Sequence, residues 1–165
     1  MIQSSPRQRI LLVIAGLPAG GAERQMSLLA KGLDRSKFEV GLLIFNSAEK
    51  VHYRDVLEVP LWFRDLKLSP ANDGLLLVPR LVRGICRAIS DFKPEIIHTT
   101  LNVANHAVRF AALLSRCNIP IITSVRVEYR PSYSSNEKRL ERLLWRRSNH
   151  IICNSEATRE QLIMD

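Results

Sequence analysis

The residues most able to do chemistry in this chain begin at Gly16-Leu17-Pro18-Ala19-Gly20-Gly21-Ala22-Glu23-Arg24, between an apolar run and an amphipathic stretch. Backbone N–H groups at such a junction, with the positive end of a helix dipole, favour phosphate or another anion. Glycine admits close backbone approach because it carries no Cβ, which makes Gly20 and Gly21 the candidate anion-loop residues. Two familiar phosphate motifs do not fit. Pro18 stands where G-x-G-x-x-G needs its second glycine, and Asn46 rather than an acid closes the next apolar run. Gly16 and Gly21 have P-loop spacing, but Ala22 and Glu23 follow where lysine and a hydroxyl residue belong. Further polar residues close the later apolar runs: His98-Thr99-Thr100, Ser124 with Arg126, and Asn154-Ser155-Glu156. His52, His106 and His150 are scattered, so no metal site is expected. There is no G-x-S-x-G elbow for a nucleophilic serine.

These residues need elements to hold them. Arg9–Ala15 reads as a buried strand, apolar without alternation, as parallel strands tend to be. Further strands are expected at Glu39–Phe45, Val59–Phe63 (weakened by Pro60), Glu95–His98, Pro120–Ser124 and His150–Cys153. Helices are expected between them. Ala22–Leu33 carries Ala22, Met26, Leu29 and Leu33 on one face. The next carries Val78, Leu81, Val82, Ile85 and Ile89 opposite Arg80, Arg83 and Arg87. Asn102–Ser115 carries a stripe of Val103, Ala107, Phe110, Ala111 and Leu114, while Glu137–Arg147 and Ser155–Met164 complete the set. Glu128–Asn136 reads as a loop. The alternation predicts an α/β domain, a doubly wound parallel sheet with helices on both faces. Ligands of such sheets bind beyond the carboxyl ends of the strands, where the polar residues above collect.

Composition narrows the class. The chain has 165 residues, 46% of them hydrophobic, with 24 Lys and Arg against 16 Asp and Glu for a net charge of +8. That is ordinary globular usage for one domain. The apolar run from Ile10 is far shorter than a membrane span of about 20 residues. Arg7 and Arg9 before that run imitate a secretory leader, but the Gly turn and helix pattern that follow suit a strand–loop–helix unit better. Three cysteines, 31 and 36 positions apart, make no C-x-x-C pair and fit reduced thiols in the cytoplasm. Aromatic residues are only 6% and no RNA-binding motif occurs, so nucleic acid is not an expected partner.

Gly20-Gly21-Ala22-Glu23-Arg24 followed by Leu28-Leu29-Ala30-Lys31-Gly32-Leu33 resembles the first loop and helix of family 4 glycosyltransferases. Lys93-Pro94-Glu95-Ile96-Ile97-His98-Thr99 resembles the family's fourth strand and its closing histidine. Pro120–Arg126 resembles the fifth strand, and His150–Arg159 the sixth strand and following helix. The resemblance implies a GT-B fold, two Rossmann-like domains facing across a cleft. It also implies transfer of a sugar from a nucleotide-diphosphate-sugar, with retained anomeric configuration and no metal or other cofactor. Residues 1–165 resemble the N-terminal, acceptor-side domain, with the donor-binding domain outside this chain. The family's donor site uses a Glu-x7-Glu pair, and no two glutamates here are eight positions apart. The domain is therefore expected to be inactive alone.

Carried onto this chain, the resemblance places Gly20 and Gly21 against the donor diphosphate or the acceptor. His98 and Arg126 become the candidate catalytic residues, and Asn46, Thr100, Ser155 and Glu156 line the acceptor cleft. The chain departs from the family at two positions. Thr100 stands where many members have a second histidine, and Arg126 stands near where many have one after the fifth strand. An arginine is no base near neutral pH, but it can grip a phosphate or carboxylate with two parallel hydrogen bonds. The expected partners are a nucleotide-sugar donor and a glycan, lipid-linked or small-molecule acceptor. Arg126–Arg147 adds seven basic residues against three acidic ones. Leucines and Trp145 lie among the charges of Glu137–Arg147, a mixture that suits an anionic membrane surface. A helix packed through its leucines reads the same residues without a membrane. The expected location is the cytoplasm, with peripheral contact on the inner face of the membrane. A second functional reading stays open: a non-catalytic module for an anionic or phosphorylated ligand.

Overall fold

A computed structural model describes residues 6–47, 56, 58–126, 139 and 142–164. Its six strands are β1 (Gln8–Ile14), β2 (Phe38–Ile44), β3 (Trp62–Asp65), β4 (Ile96–Thr100), β5 (Ile121–Val125) and β6 (His150–Cys153). All pair in parallel, in the order β3-β2-β1-β4-β5-β6. The helices are α1 (Gly21–Gly32), the single turn α2 (Pro70–Asp73), α3 (Leu77–Phe92), α4 (Asn102–Leu114) and a last helix, Glu156–Met164. This is the doubly wound α/β architecture that the alternating pattern predicts.

β1 is apolar on both sides because both sides are covered. Leu11 and Val13 join Leu43, Ile85, Phe92, Ile97 and Val108 on the face packed by α3 and α4. Ile10, Leu12 and Ile14 join Leu42, Ile44, Met26 and Ala30 on the opposite face, under α1. The strand period of two sorts neighbouring residues into different cores. Gly41 serves this packing: a Cβ there would come within 3.0 Å of the Phe92 ring. Phe92 in turn meets Trp62, with ring centroids 5.2 Å apart. α3 tolerates Pro79 because it falls in the first turn, where no helical N–H bond is required. The helix ends at Lys93 in the left-handed region (φ 52), with its N–H bonded to the Ile89 carbonyl, and Pro94 follows.

Two expectations from periodicity are corrected. The third strand starts at Trp62 rather than Val59, beyond Pro60, which has no N–H to give the ladder with β2. On α4 the inward face coincides with the expected stripe only in part: Ala111 is buried and Ala107 packs against the core, but the rest of the face is different. Ala104, Asn105, Val108, Arg109, Ala111 and Ala112 are buried, whereas Val103 and Leu114 are exposed. Small side chains let the helix approach the sheet closely, and two polar residues share that face. The expected loop Glu128–Asn136 lies outside the described residues. Of Glu137–Arg147, residues 142–145 form a helical turn. All three cysteines are free and half-buried. Among the described residues no helix is long and apolar enough to cross a membrane.

Candidate functional site

Strand order reverses between β1 and β4, since β1 continues into α1 on one face and β4 into α4 on the other. At that switch point the carboxyl ends of the strands open a crevice. Gln25, Met26, Leu28 and Leu29 of α1 there face His98 and Thr100 of β4 and Arg126 just past β5, around a recess of about 420 Å³. His98 lies in register with Leu12 of β1, and Thr100 with Ser124 of β5. Strand alternation turns Thr99 to the opposite face.

The His98 imidazole Nε2 is 2.8 Å from Ser124 Oγ. Burial, and secondarily the positive charge of Arg126, holds its pKa below the ordinary 6.5. His98 is thus neutral at pH 7, with one ring nitrogen able to donate and the other to accept. The unfolded chain binds this proton more readily, so the stability owed to neutral His98 is complete above about pH 6.5. It declines as pH falls through the folded pKa. His98→Gln retains a partner for Ser124 and should flatten this part of the stability curve. Urea denaturation at a series of acidic pH values measures it; a slope equal to that of the parent chain would exclude His98 as its source.

Arg126 brings its guanidinium to the recess. One guanidinium N–H is donated to Gln25 Oε1 of α1. Its main-chain carbonyl accepts from Asn154 Nδ2 at 3.2 Å, fixing the backbone beneath the side chain. Its Nε is buried with no hydrogen-bond partner among the described residues. The guanidinium has five N–H groups, so several remain for an anionic oxygen.

Gly20 and Gly21 open the same helix whose second turn lines the recess. Gly20 is the N-cap in extended conformation (φ −162) and makes no side-chain cap bond. A Cβ at Gly21 would meet nothing within 4 Å, while one at Gly20 would run into the Glu23 carboxylate, the far end of a flexible side chain. Neither glycine is required by the backbone; what they leave is open space beside the helix terminus. Asn46 closes β2 beside Gly16, where a Cβ would come within 3.0 Å of the Asn46 carbonyl. Asn46 therefore shares the rim but does not line the recess of His98 and Arg126.

Ser155 and Glu156 fall elsewhere. They border a separate depression of about 480 Å³ beside β6. Ser155 Oγ accepts from the Thr158 N–H at 3.2 Å, capping the last helix, and Glu156 pairs with Arg159. Both serve their own helix. Asp65 and Asp73 are the acidic pair eight positions apart, and they too serve the backbone. They accept from the Lys67 and Ser69 N–H groups at 2.8 and 2.6 Å, well away from the recess. Among the described residues no group of three His, Cys, Asp or Glu side chains is placed to hold a metal.

Behind the recess lies a buried polar network invisible to periodicity. Thr99 Oγ1 donates to Asn105 Oδ1 at 2.5 Å, and Asn105 Nδ2 donates to the Ser124 carbonyl at 2.9 Å. Arg109 Nε donates to the Asn105 carbonyl at 2.9 Å, and its guanidinium stacks 4.2 Å from the centre of Trp145. Ser124 thus joins His98 on one face of the sheet to Asn105 on the other. Between β4 and α4, Leu101 adopts φ 71, ψ 152, a region occupied almost only by glycine. Local strain therefore sits one residue beyond Thr100.

Comparison with known proteins decides the family. The sequence profile of Glycosyltransferase Family 4 matches residues 19–164, nearly the whole chain. This chain belongs to glycosyltransferase family 4. Its fold is that of the Rossmann-like N-terminal half of the GT-B arrangement, and similar solved structures have the same fold at low identity. A putative UDP-N-acetylglucosamine 2-epimerase from Listeria monocytogenes aligns with TM-score 0.69 and 14% identity, covering 97% of this chain and 42% of that one. The lipopolysaccharide outer core galactosyltransferase WaaB aligns with TM-score 0.68 and 15% identity, covering 95% and 42%. Anabaena Alr3699/HepE, solved with UDP and glucose, aligns with TM-score 0.64 and 21% identity, covering 96% and 41%. The family 4 chain thus spans less than half the length of each of these structures. No curated protein sequence matches it.

Proposed function

We propose that this chain is the acceptor-side domain of a retaining, hexosyltransferase-type glycosyltransferase. The enzyme would move a sugar from a nucleotide-diphosphate-sugar to a glycan, lipid-linked or small-molecule acceptor. The observation that carries the reading is the recess at the sheet's switch point, where neutral His98 and cationic Arg126 together face α1 in a family 4 chain. In this reading Arg126 binds an anionic group of donor or acceptor through the guanidinium fork, and His98 and Thr100 orient acceptor hydroxyls. The open space at Gly20 and Gly21 admits the diphosphate to the N-terminus of α1. The bond from the anomeric carbon to the diphosphate oxygen breaks, the acceptor oxygen bonds to that carbon on the same face, and the acceptor's hydroxyl proton passes to the departing diphosphate. The nucleotide itself is held chiefly by a second domain of the whole protein, so the chain alone transfers little. UDP and glucose in the Anabaena structure support a nucleotide sugar as the donor. A lipid-linked acceptor would bring the protein to the cytoplasmic face of a membrane.

The test separates the loop's chemistry from the fold. Gly21→Asp puts a carboxylate where nothing lies within 4 Å, at the first position of a helix whose dipole favours an acid. Stability should be unchanged or slightly raised. In the full-length protein, supplied in turn with UDP-, GDP- and ADP-sugars, transfer should fall about tenfold or more as the carboxylate repels the diphosphate. Undiminished transfer by that variant would remove the loop from the site. If the parent releases no nucleotide from any sugar nucleotide yet binds an anionic ligand in calorimetry, the chain is a binding module instead.

A further inference from the structure

We propose that the start of α3, with the 3-10 turn Gly74–Leu76 before it, docks on an anionic lipid bilayer. This places the membrane contact of the reading above on a different element from 137–147, and it can be tested without any transfer reaction. Two features meet there. Leu75 is 99% exposed and Leu76 56%, so two successive apolar side chains face water on the turn that leads into the helix. Beside them a recess of about 510 Å³ is lined by Lys67, Arg80, Arg83 and Arg87. Arg80, Arg83 and Arg87 follow at spacings of three and four along one exposed helix face.

The recess is cationic in effect as well as by count. Its two acids are already engaged: Asp73 accepts from the Ser69 N–H and from Arg80, and Asp65 from the Lys67 N–H and Ser47. Among the described residues no ion pair takes Lys67, Arg83 or Arg87. Lys67 is held by its backbone at φ 53, in the left-handed region, at the mouth of the recess. A soluble polyanion could use these charges, but it would gain nothing from Leu75 and Leu76. A bilayer uses both, taking the apolar side chains into the interface while phosphates meet the guanidinium groups.

The basic stretch 137–147 offers less to a membrane. Leu144 is buried and Trp145 is stacked on Arg109, leaving Leu143 as its exposed apolar residue among those described.

Cosedimentation of the full chain with vesicles tests the assignment, using phosphatidylcholine alone and phosphatidylcholine mixed with phosphatidylglycerol. The parent should partition at least tenfold more strongly to the anionic vesicles, and less so at high salt. Arg83→Glu/Arg87→Glu should lose about 25-fold or more, since each cation near such a surface contributes about fivefold. Leu75→Ser/Leu76→Ser should lose about tenfold or more at unchanged charge. Arg139→Glu/Arg146→Glu, also exposed, should keep most of the binding. Thermal melting checks each fold, and Arg83→Gln/Arg87→Gln replaces any charge-reversed variant that fails to fold. Equal partition to neutral and anionic vesicles, or none to either, overturns the proposal. So does loss confined to the 139/146 variant. Sensitivity to the arginines without sensitivity to the leucines overturns it in favour of a soluble polyanion site, which dextran sulfate would then compete for.

Discussion

Replacing Asn105 by leucine should lower the unfolding free energy by about 2–4 kcal/mol, although the substitution is close in size and raises apolarity. Periodicity alone would forecast the opposite, because position 105 lies on the buried face of α4 among Ala104, Val108, Ala111 and Ala112. The cost comes from what the side chain satisfies. Thr99 Oγ1, on a fully buried residue, gives its proton to Asn105 Oδ1 at 2.5 Å. The Ser124 carbonyl receives Asn105 Nδ2 at 2.9 Å. Leucine leaves both groups buried and unmatched, each at a cost of about 1–3 kcal/mol, and its own burial offsets only part of that. Urea denaturation followed by circular dichroism measures the change, with the slope against urea unaltered if the native state stays compact. A loss below about 1 kcal/mol would show that another group takes over these bonds. Asn105 also holds Ser124, whose hydroxyl meets His98, so the variant should broaden or shift the His98 ring signals even where it remains folded.

That network has no signature in hydrophobic periodicity. Strands buried on both faces betray themselves as apolar runs, so β1, β2 and the crossover through α1 were legible, and with them the rim on which His98, Thr100 and Arg126 meet. Hydrophobic periodicity follows transfer free energy, and it cannot register a polar side chain whose partners arrive from other strands. Asn105 and Arg109 stand at i and i+4 on the face that also carries Ala104 and Val108, yet only the hydrogen bonds from Thr99 and to Ser124 explain why that face is inward. Val103 and Leu114 are apolar but exposed, so the apolar stripe they share with Ala107 and Ala111 faces the core only in part. Polar residues at strand ends carry the reverse ambiguity. Ser155 and Glu156 match a cleft in type, but a helix beginning at Glu156 needs a cap and suits an early acid, and the two residues satisfy it. Gln25, Met26 and Leu29 reach the recess from the second and third turns of α1, a position that becomes functional only when the β1–β4 switch point brings β4 beneath it.

If the full-length protein transfers sugar as proposed, Arg126→Ala should reduce its kcat/KM about 10- to 100-fold, the equivalent of losing a charge-assisted hydrogen-bonding contact of about 1.5–3 kcal/mol. The guanidinium is half-buried, it spends one N–H on Gln25, and its Nε is without a partner among the described residues. An anion arriving in the recess would find donors already oriented, so truncation removes a positioned contact and not merely a charge. Arg126→Lys distinguishes the two. Lysine restores the charge without the planar fork, and recovery should therefore be partial; full recovery would mean that a point charge suffices. A second readout needs no substrate. Arg126 contributes to the lowering of the His98 pKa, so in Arg126→Ala that pKa should rise toward 6.5, measured by NMR titration of the ring protons. The rise should be incomplete, because burial is the larger cause and removal of the side chain opens the site only in part. Activity lost with the His98 titration unchanged would separate the anion contact from the histidine. Loss of both together would place the two groups within one electrostatic site, the arrangement that the shared recess of His98, Thr100 and Arg126 leads one to expect.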